Sequence, residues 1–468
     1  MGHDETSAAP SGQTSVRKIS LSWMEAARTW LLIGATGFGG PAGQIAILHR
    51  EVVERKRWLG EDEFLAALRL CMLLPGPEAQ QLATYAGWRM QGLPGAILAG
   101  TLFVMPGAIL VTGLAWLHAS SGSLPAVGAA FAGTRPAVVA LVAMATWRIG
   151  RRSIKTAAGL AIALAAFAAM ASGASFPLVV IVAAIIGMVV DVRAVQRPQQ
   201  TEETDHGTDS PATHDRQSTH DTPVPVLGHP VLRPTQWRVA TLLPVASAAT
   251  IGVGVWAAAY GTVVAFDLAG GRGPAIAMLF TETTLLSLGG AYAVVPWALD
   301  ESLARGWLQP PERFDALAMG EATPGPLILV VTFIGFLAGW KTSPAGDSVA
   351  GVWGAAIATV FAFIPSFAMV LGLAPLVQSI RAGSRLDRSL AAIGAVVVGA
   401  IALLAVRLGI EAFVPNGKPA ILTVFVAIAC GAAILRGWLP TPVVVLAAAA
   451  VGIVAGWLGL SDVEVLSL

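Results

Sequence analysis

Charge is what this chain has least of. Asp, Glu, Lys and Arg make up 12% of its 468 residues, about half the share of a soluble globular domain, and that excludes one. The charges present nearly cancel, at a net +1, so no nucleic-acid partner is expected. Cysteine is almost absent. Cys71 and Cys430 lie far apart in apolar stretches, so there is neither a disulfide framework nor a thiolate metal site. Histidine is sparse outside one polar stretch, where His206, His214, His220 and His229 follow no metal-ligand spacing, and no cofactor is expected. The apolar segments contain only His118, near an end, so a membrane-embedded enzyme, the alternative of another class, lacks its nucleophile–base pair and the chain is read as a non-enzyme. Residues 1–20 have no apolar core and read as a polar tail, not a signal peptide.

Apolar side chains are what is there, at 55%, with a mean hydropathy of +0.70. Apolar segments fall near 21–48, 64–88, 94–118, 125–147, 156–172 and 175–191, and again near 238–266, 274–299, 314–340, 349–378, 390–412, 418–436 and 439–459. Most reach the ~20 residues that cross a bilayer. The chain is therefore an all-α polytopic membrane protein. Between the two groups, 192–237 is rich in Thr, Pro, Asp and His and reads as a disordered linker.

The two groups repeat each other. "GFGGPAGQIA" (37–46) matches "SLGGAYAVVP" (287–296), "RWLGEDEF" (57–64) matches "GWLQPPERF" (306–314), Pro75-Gly76-Pro77 matches Pro324-Gly325-Pro326, and "RPAVVALV" (135–142) matches "IGAVVVGA" (393–400). Four matches in one order indicate a duplication. Residues 21–191 form the first repeat, and 238–468 hold one extra transmembrane helix and the second.

Orientation follows from Lys and Arg in short loops. "WRIGRRSIK" (147–155) and "RAGSRLDR" (381–388) are both placed in the cytoplasm, as is the linker. The extra crossing at 238–266 then inverts the second repeat, which predicts two inverted-topology repeats. The broken segments either cross or re-enter. Re-entry is favoured, because it keeps the basic residues of "HREVVERKR" (49–57) on the cytoplasmic side.

The breaks themselves point to chemistry. Proline removes a backbone donor and pushes the preceding residue out of helix, yet it suits the start of a new one. A helix beginning at Pro77 leaves the N–H groups of Glu78, Ala79 and Gln80 unpartnered, and Pro326 does the same for Leu327, Ile328 and Leu329. Two such positive ends at the midplane suit an anion. Neighbouring side chains or waters filling the same donors is the plainer alternative. Gly39, Gly40, Gly289 and Gly290 allow the other two breaks, although Ala291 stands where the first copy has Pro41.

Ionisable residues at depth are functional candidates. Arg135, mid-segment, can fork onto two oxygens of a bound oxyanion or pair with a buried Glu. Glu78, Glu282 and Glu321 are read as proton-coupling groups, or else as structural acids. Gln80, Gln81 and Thr323 offer neutral hydrogen bonds.

"TGFGGPAGQIA", "RWLGEDEFLAAL", "LLPGPEAQQLATYAGW", "GTRPAVVALV", "LGGAYAVVPW" and "GEATPGPLILVVTFIGFLAG" together resemble the chromate ion transporter family in its long two-repeat form, over roughly 24–190 and 275–460. The resemblance implies a multi-pass bacterial inner-membrane protein that exports chromate with the proton-motive force and so confers resistance, with chromate, protons and the lipid bilayer as partners. Sulfate or another oxyanion, and assembly into a homo-oligomer, stay open. The family's motif positions fall on Gly39, Gly40, Pro41, Pro75, Gly76, Pro77, Glu78, Gln81, Arg135, Gly289, Gly290, Glu321, Thr323, Pro324, Gly325 and Pro326. The second copy departs from the pattern, with Ser287-Leu288 before its Gly-Gly where the family more often has Thr-Phe.

Overall fold

The computed structural model describes residues 22–121, 124–189, 242–379, 385–415 and 420–457. The tail 1–20, the linker 192–237 with its four histidines, and Arg381 lie outside them. Among the described residues all regular structure is helical. Five helices among the described residues are long and apolar enough to cross a membrane, and the molecule is an all-α multi-pass membrane protein.

The first half contains α1 (Trp23–Thr36), α2 (Gly40–His49), α3 (Glu61–Leu73), α4 (Glu78–Ser121), α5 (Pro125–Ser153), α6 (Ala157–Ala171) and α7 (Phe176–Val189). The second contains α8 (Leu242–Ala265), α9 (Gly273–Leu286), α10 (Val295–Ala304), α11 (Glu312–Ala322), α12 (Val330–Trp340), α13 (Ser348–Leu373), α14 (Arg385–Phe413), α15 (Ile421–Leu435) and α16 (Thr441–Trp457). Local chemistry sets several starts. Pro125 opens α5, Thr156 caps α6 by accepting from the Gly159 N–H at 3.1 Å, and Asp347 caps α13 through the Val349 and Ala350 N–H groups.

α4 is two helices in one. Gln91 and Gly92 leave helical geometry, Gly92 at φ 69°, so a short arm from Glu78 turns back into a long arm that runs to Ser121. Only small residues allow the arms to touch: a methyl on Gly87 would stand 2.3 Å from the Gly95 carbonyl oxygen. α6 and α7, at 15 and 14 residues, are shorter than the crossings expected at 156–172 and 175–191. They pack as a hairpin along the 29-residue α14.

Every broken segment folds back on itself. Lys56 pairs with Glu25 at 2.7 Å, joining the two ends of the α1–α2 hairpin. Glu63, at the start of α3, accepts from Arg89 and Tyr85 at the end of the short arm of α4. In the second half Lys341, after α12, reaches Glu312 at the start of α11 at 2.5 Å. Arg272, before α9, donates to the Ala338 carbonyl at 2.9 Å, and Lys341 donates to that of Trp307, beyond α10.

These closures lie at opposite ends of the molecule. Those of the first half sit where α4's long arm begins and α5 finishes, here called the near end. Those of the second half sit where α4 finishes, the far end: Trp116 donates to Ser348 at 3.3 Å and His118 stands 4.0 Å from Glu312. The halves also exchange their clasps. α15 and α16 pack on α5, while α6 and α7 pack on α14. α8 packs on α13 and α9, with Trp256 donating to Thr281 at 2.8 Å, and turns Ile251, Val253 and Val255 outward.

Candidate functional site

The breaks hold the backbone shapes their sequences require. Gly39, Gly40, Gly289 and Gly290 all have φ between 69° and 99°, which a side chain would strain. The second Gly-Gly break is as complete as the first although Ala291 replaces proline, because a single 3-10 turn, Ala291–Ala293, follows it and Pro296 starts α10. In the first PGP, helix begins at Glu78 rather than at Pro77, whose carbonyl accepts from the Gln81 N–H at 3.0 Å. In the second, Pro326 stays extended, a 3-10 turn covers Leu327–Leu329, and α12 starts only at Val330.

Each PGP is seated on the other half. A methyl on Gly76 would stand 2.9 Å from Ser366 Oγ of α13, just after Pro365. A methyl on Gly107 of α4, just after Pro106, would stand 2.1 Å from the Pro324 carbonyl oxygen. Gly325 donates to the Gly37 carbonyl at 3.0 Å, and the Gln44 side chain bridges the Gly37 and Gly325 carbonyls. Reciprocally, Glu78 lies against the other Gly-Gly: a methyl on Gly290 would be 3.4 Å from its Oε1.

The two half-helix starts therefore meet. Pro77, Glu78, Ala79, Pro326 and Leu327 border one void with Pro41 and Gln44, but its volume is about 10 Å³, room for a single water at most. The expected cradle between the ends is closed in this conformation. The space for a solute lies beside it, in a cavity of about 510 Å³ that opens toward the near end. Its floor is Gly39, Gly40, Gly289, Gly290, Glu78 and Glu321, so both Gly-Gly breaks and two of the three expected acids converge there. Tyr292 lines the same floor and donates its hydroxyl to Glu321.

The cations of this cavity are Arg148, Arg152 and Lys155, all exposed. Arg148 and Arg152 are one helical turn apart on α5, on one face. Arg135 is on the same helix but outside the cavity. Its guanidinium lies over the Phe314 ring at 5.9 Å, with Asp315 next in sequence on α11. Asp315 is 3.9 Å from His118. Buried atoms without a hydrogen-bond partner there are Arg135 Nε, His118 Nδ1 and Asp315 Oδ1. Arg135 thus belongs to a far-end cluster rather than to the vestibule. Glu282 is exposed on α9 and does not line the cavity.

The neutral candidates are engaged locally. Gln80 donates to Thr84 at 2.9 Å and accepts from Ser366 at 2.8 Å. Gln81 donates to the Pro75 carbonyl at 2.8 Å, and its own oxygen is buried without a partner. Thr323 donates to the Met319 carbonyl at 2.6 Å. Sequence reasoning missed Arg148, Arg152, Lys155, Tyr292 and Gln44 as site residues. The i, i+4 spacing of Arg148 and Arg152 was the signal that could have found the first two.

The arrangement is an open polar vestibule with a cationic wall and an acidic, glycine-lined floor, inside a membrane protein. Similarity searches agree with that picture. The family model described as "Chromate transporter" matches residues 24–188 and 274–453. The chain is 30% identical over 450 residues to the chromate transport protein of Pseudomonas aeruginosa, covering 94% of this chain and 92% of that one. It is 26% identical to the chromate transport protein of Cupriavidus metallidurans, over 91% of each chain. An uncharacterized transporter of Methanocaldococcus jannaschii is 25% identical over 75% of this chain and 76% of its own. No solved structure matches the chain.

Proposed function

The chain belongs to the chromate transporter family, and from that premise we propose that it is a secondary transporter that takes chromate from the cytoplasm and exports it across the inner membrane, driven by the proton-motive force, so that the cell resists chromate. The observation that carries this reading is the vestibule: three basic side chains on one wall and two acids on the floor, at the point where both Gly-Gly breaks converge. A tetrahedral dianion entering it is attracted by Arg148, Arg152 and Lys155 and reaches Glu78 and Glu321 at the floor. An ionised carboxylate there repels it and a protonated one does not, which is how proton binding and anion movement become linked.

We read the near end as cytoplasmic. Arg148, Arg151, Arg152, Lys155, Arg50, Arg55 and Lys56 gather there, as the positive-inside rule requires. We read the halves as an inverted duplication, with a pseudo-two-fold axis in the membrane plane. Its support is the exchange of seats: PGP of each half on the long helix of the other, and hairpins closing at opposite ends of α4. The half-helix starts keep their positive ends at the midplane and would bind the anion once the seam between them parts.

The test is uptake of labelled chromate into inverted membrane vesicles, with and without an imposed proton gradient and with sulfate as competitor. Gradient-dependent chromate uptake that excess sulfate leaves intact is the expected result. Uptake that ignores the gradient removes proton coupling, and sulfate uptake at the same rate removes the chromate assignment.

A further inference from the structure

A second polar cavity, of about 290 Å³, lies at the far end between α10, α14 and the α6–α7 turn. That volume is ample for several waters. Asp300, Glu301 and Arg407 line it, with Ser175 at its rim. Arg407 donates to Asp300 at 2.6 Å, and both side chains are about 40% exposed, so the pair faces solvent. Arg313 stands behind it, 3.6 Å from Asp300 and 2.5 Å from Glu411.

The two cavities share their walls. On α14, Leu390, Gly394 and Val397 line the vestibule, and Ala400, Leu403 and Arg407 line the far cavity. Val397 and Ala400 are one turn apart, about 4.5 Å along the axis. On the facing segment Tyr292 lines the vestibule and Pro296 the far cavity. The seam between them is the 3-10 turn Ala291–Ala293 packed on α14, with Ala293, Val295 and Ile401 buried and apolar. Sequence equivalence joins the cavities independently. In the register that pairs Arg135 with Ile393, Leu403 and Arg407 stand where Ala145 and Ile149 stand in α5, and both of those line the vestibule. One face of two equivalent helices thus opens into a cavity at each end.

Resting on the transport reading above, we propose that the far cavity is the exit station for the oxyanion, separated from the vestibule only by this thin apolar seam, and that Arg407, once released from Asp300, is the cation that receives the anion. Asp300 occupies Arg407 while the exit is idle, which keeps the arginine from holding external anions. Its carboxylate then competes with the departing dianion, so the station binds weakly and releases.

The test uses the full chain with Cys71 and Cys430 replaced by Ala and Ser175→Cys added. Ser175 is exposed in a turn, so the thiol is modified after folding. In right-side-out vesicles a membrane-impermeant sulfonate-bearing thiol reagent is expected to label Cys-substituted position 175 and to cut chromate export at least tenfold, while the Cys-free chain is unaffected. A companion Arg407→Gln variant should lose export to a similar degree with chromate binding from the vestibule side unchanged, and Arg407→Lys should recover part of it. Full labelling with unchanged export, or an Arg407→Gln chain that exports normally, overturns the exit station and leaves the transport reading standing. An unsubstituted chain that moves no oxyanion in the same vesicles overturns both.

Discussion

Gly107→Ala is a one-methyl test of the interlocked breaks. The added carbon would stand 2.1 Å from the Pro324 carbonyl oxygen and 2.6 Å from Leu329 Cδ1. The leucine can rotate but the carbonyl belongs to the backbone of the second PGP, so that break must retreat by about 1.3 Å to reach ordinary contact. Overpacking of this kind costs about 1–3 kcal/mol, which depopulates the seated conformation by roughly 5- to 150-fold. If the transport cycle passes through that conformation, chromate flux per molecule should fall at least tenfold with the protein still inserted. Gly113→Ala is the control, two turns further along α4, where an added methyl meets nothing within 4 Å. It should be neutral or slightly stabilising, since alanine is the better helix former. The assay is initial chromate flux in vesicles, normalised to protein by immunoblot, with thermal melts of the purified variants. Equal flux for the two variants would refute the idea that the seat of Pro324 on Gly107 belongs to the working cycle.

Other outcomes follow from the same geometry. Arg148→Gln and Arg152→Gln should each raise the KM for chromate about tenfold at low salt, because a unit charge and a dianion about 7 Å apart in water attract by ~1.2 kcal/mol. The difference should shrink at 0.5 M salt, measured as flux against chromate concentration. Arg135→Gln, outside the vestibule, should leave that KM unchanged. Arg89→Ala should destabilise the fold by about 1.5–3 kcal/mol, since it takes the charge partner from the largely buried Glu63 carboxylate and leaves it the Tyr85 hydroxyl, and a lowered melting temperature in detergent would register it. Glu321→Gln should abolish the dependence of flux on an imposed proton gradient, whereas Glu78→Gln should mainly change chromate affinity.

The fold was legible to the depth that hydropathy and repetition reach. Matching the PGP pairs placed both breaks, and the single extra crossing at α8 is consistent with hairpins that close at opposite ends. The sequence left open whether the segments cross or return, because a 13-residue helix on either side of a proline break suits both. The deciding contacts, Glu63 to Arg89 and Glu312 to Lys341, join residues 26 and 29 positions apart, and nothing local announces them. At the site, depth in a segment is legible in the sequence and side-chain direction is less so. Arg135 stands out in the sequence as a charge in mid-segment, while Arg148 and Arg152, at a helix end, read as topology signals. At 100° per residue, Arg135 and Arg148 point about 140° apart around α5, so the face that lines the vestibule does not carry Arg135. Tyr292 escaped because its partner, Glu321, lies on another hairpin.

The two acids occupy unlike ends of unlike helices, and on that difference we propose that they do different work. Glu78 is the first residue of α4, where the positive end of the helix dipole and free N–H groups favour a fixed negative charge. Glu321 is in the last turn of α11, where the negative end of the dipole opposes one, and a single tyrosine hydroxyl donates to it. A group whose charge is opposed by its own helix, and offset by one hydroxyl that can turn away, responds to the arrival of a dianion. The two breaks are alike in backbone but place their carboxylates differently, one just after the break and one just before it, so Glu78 and Glu321 meet the vestibule from helix ends of opposite polarity.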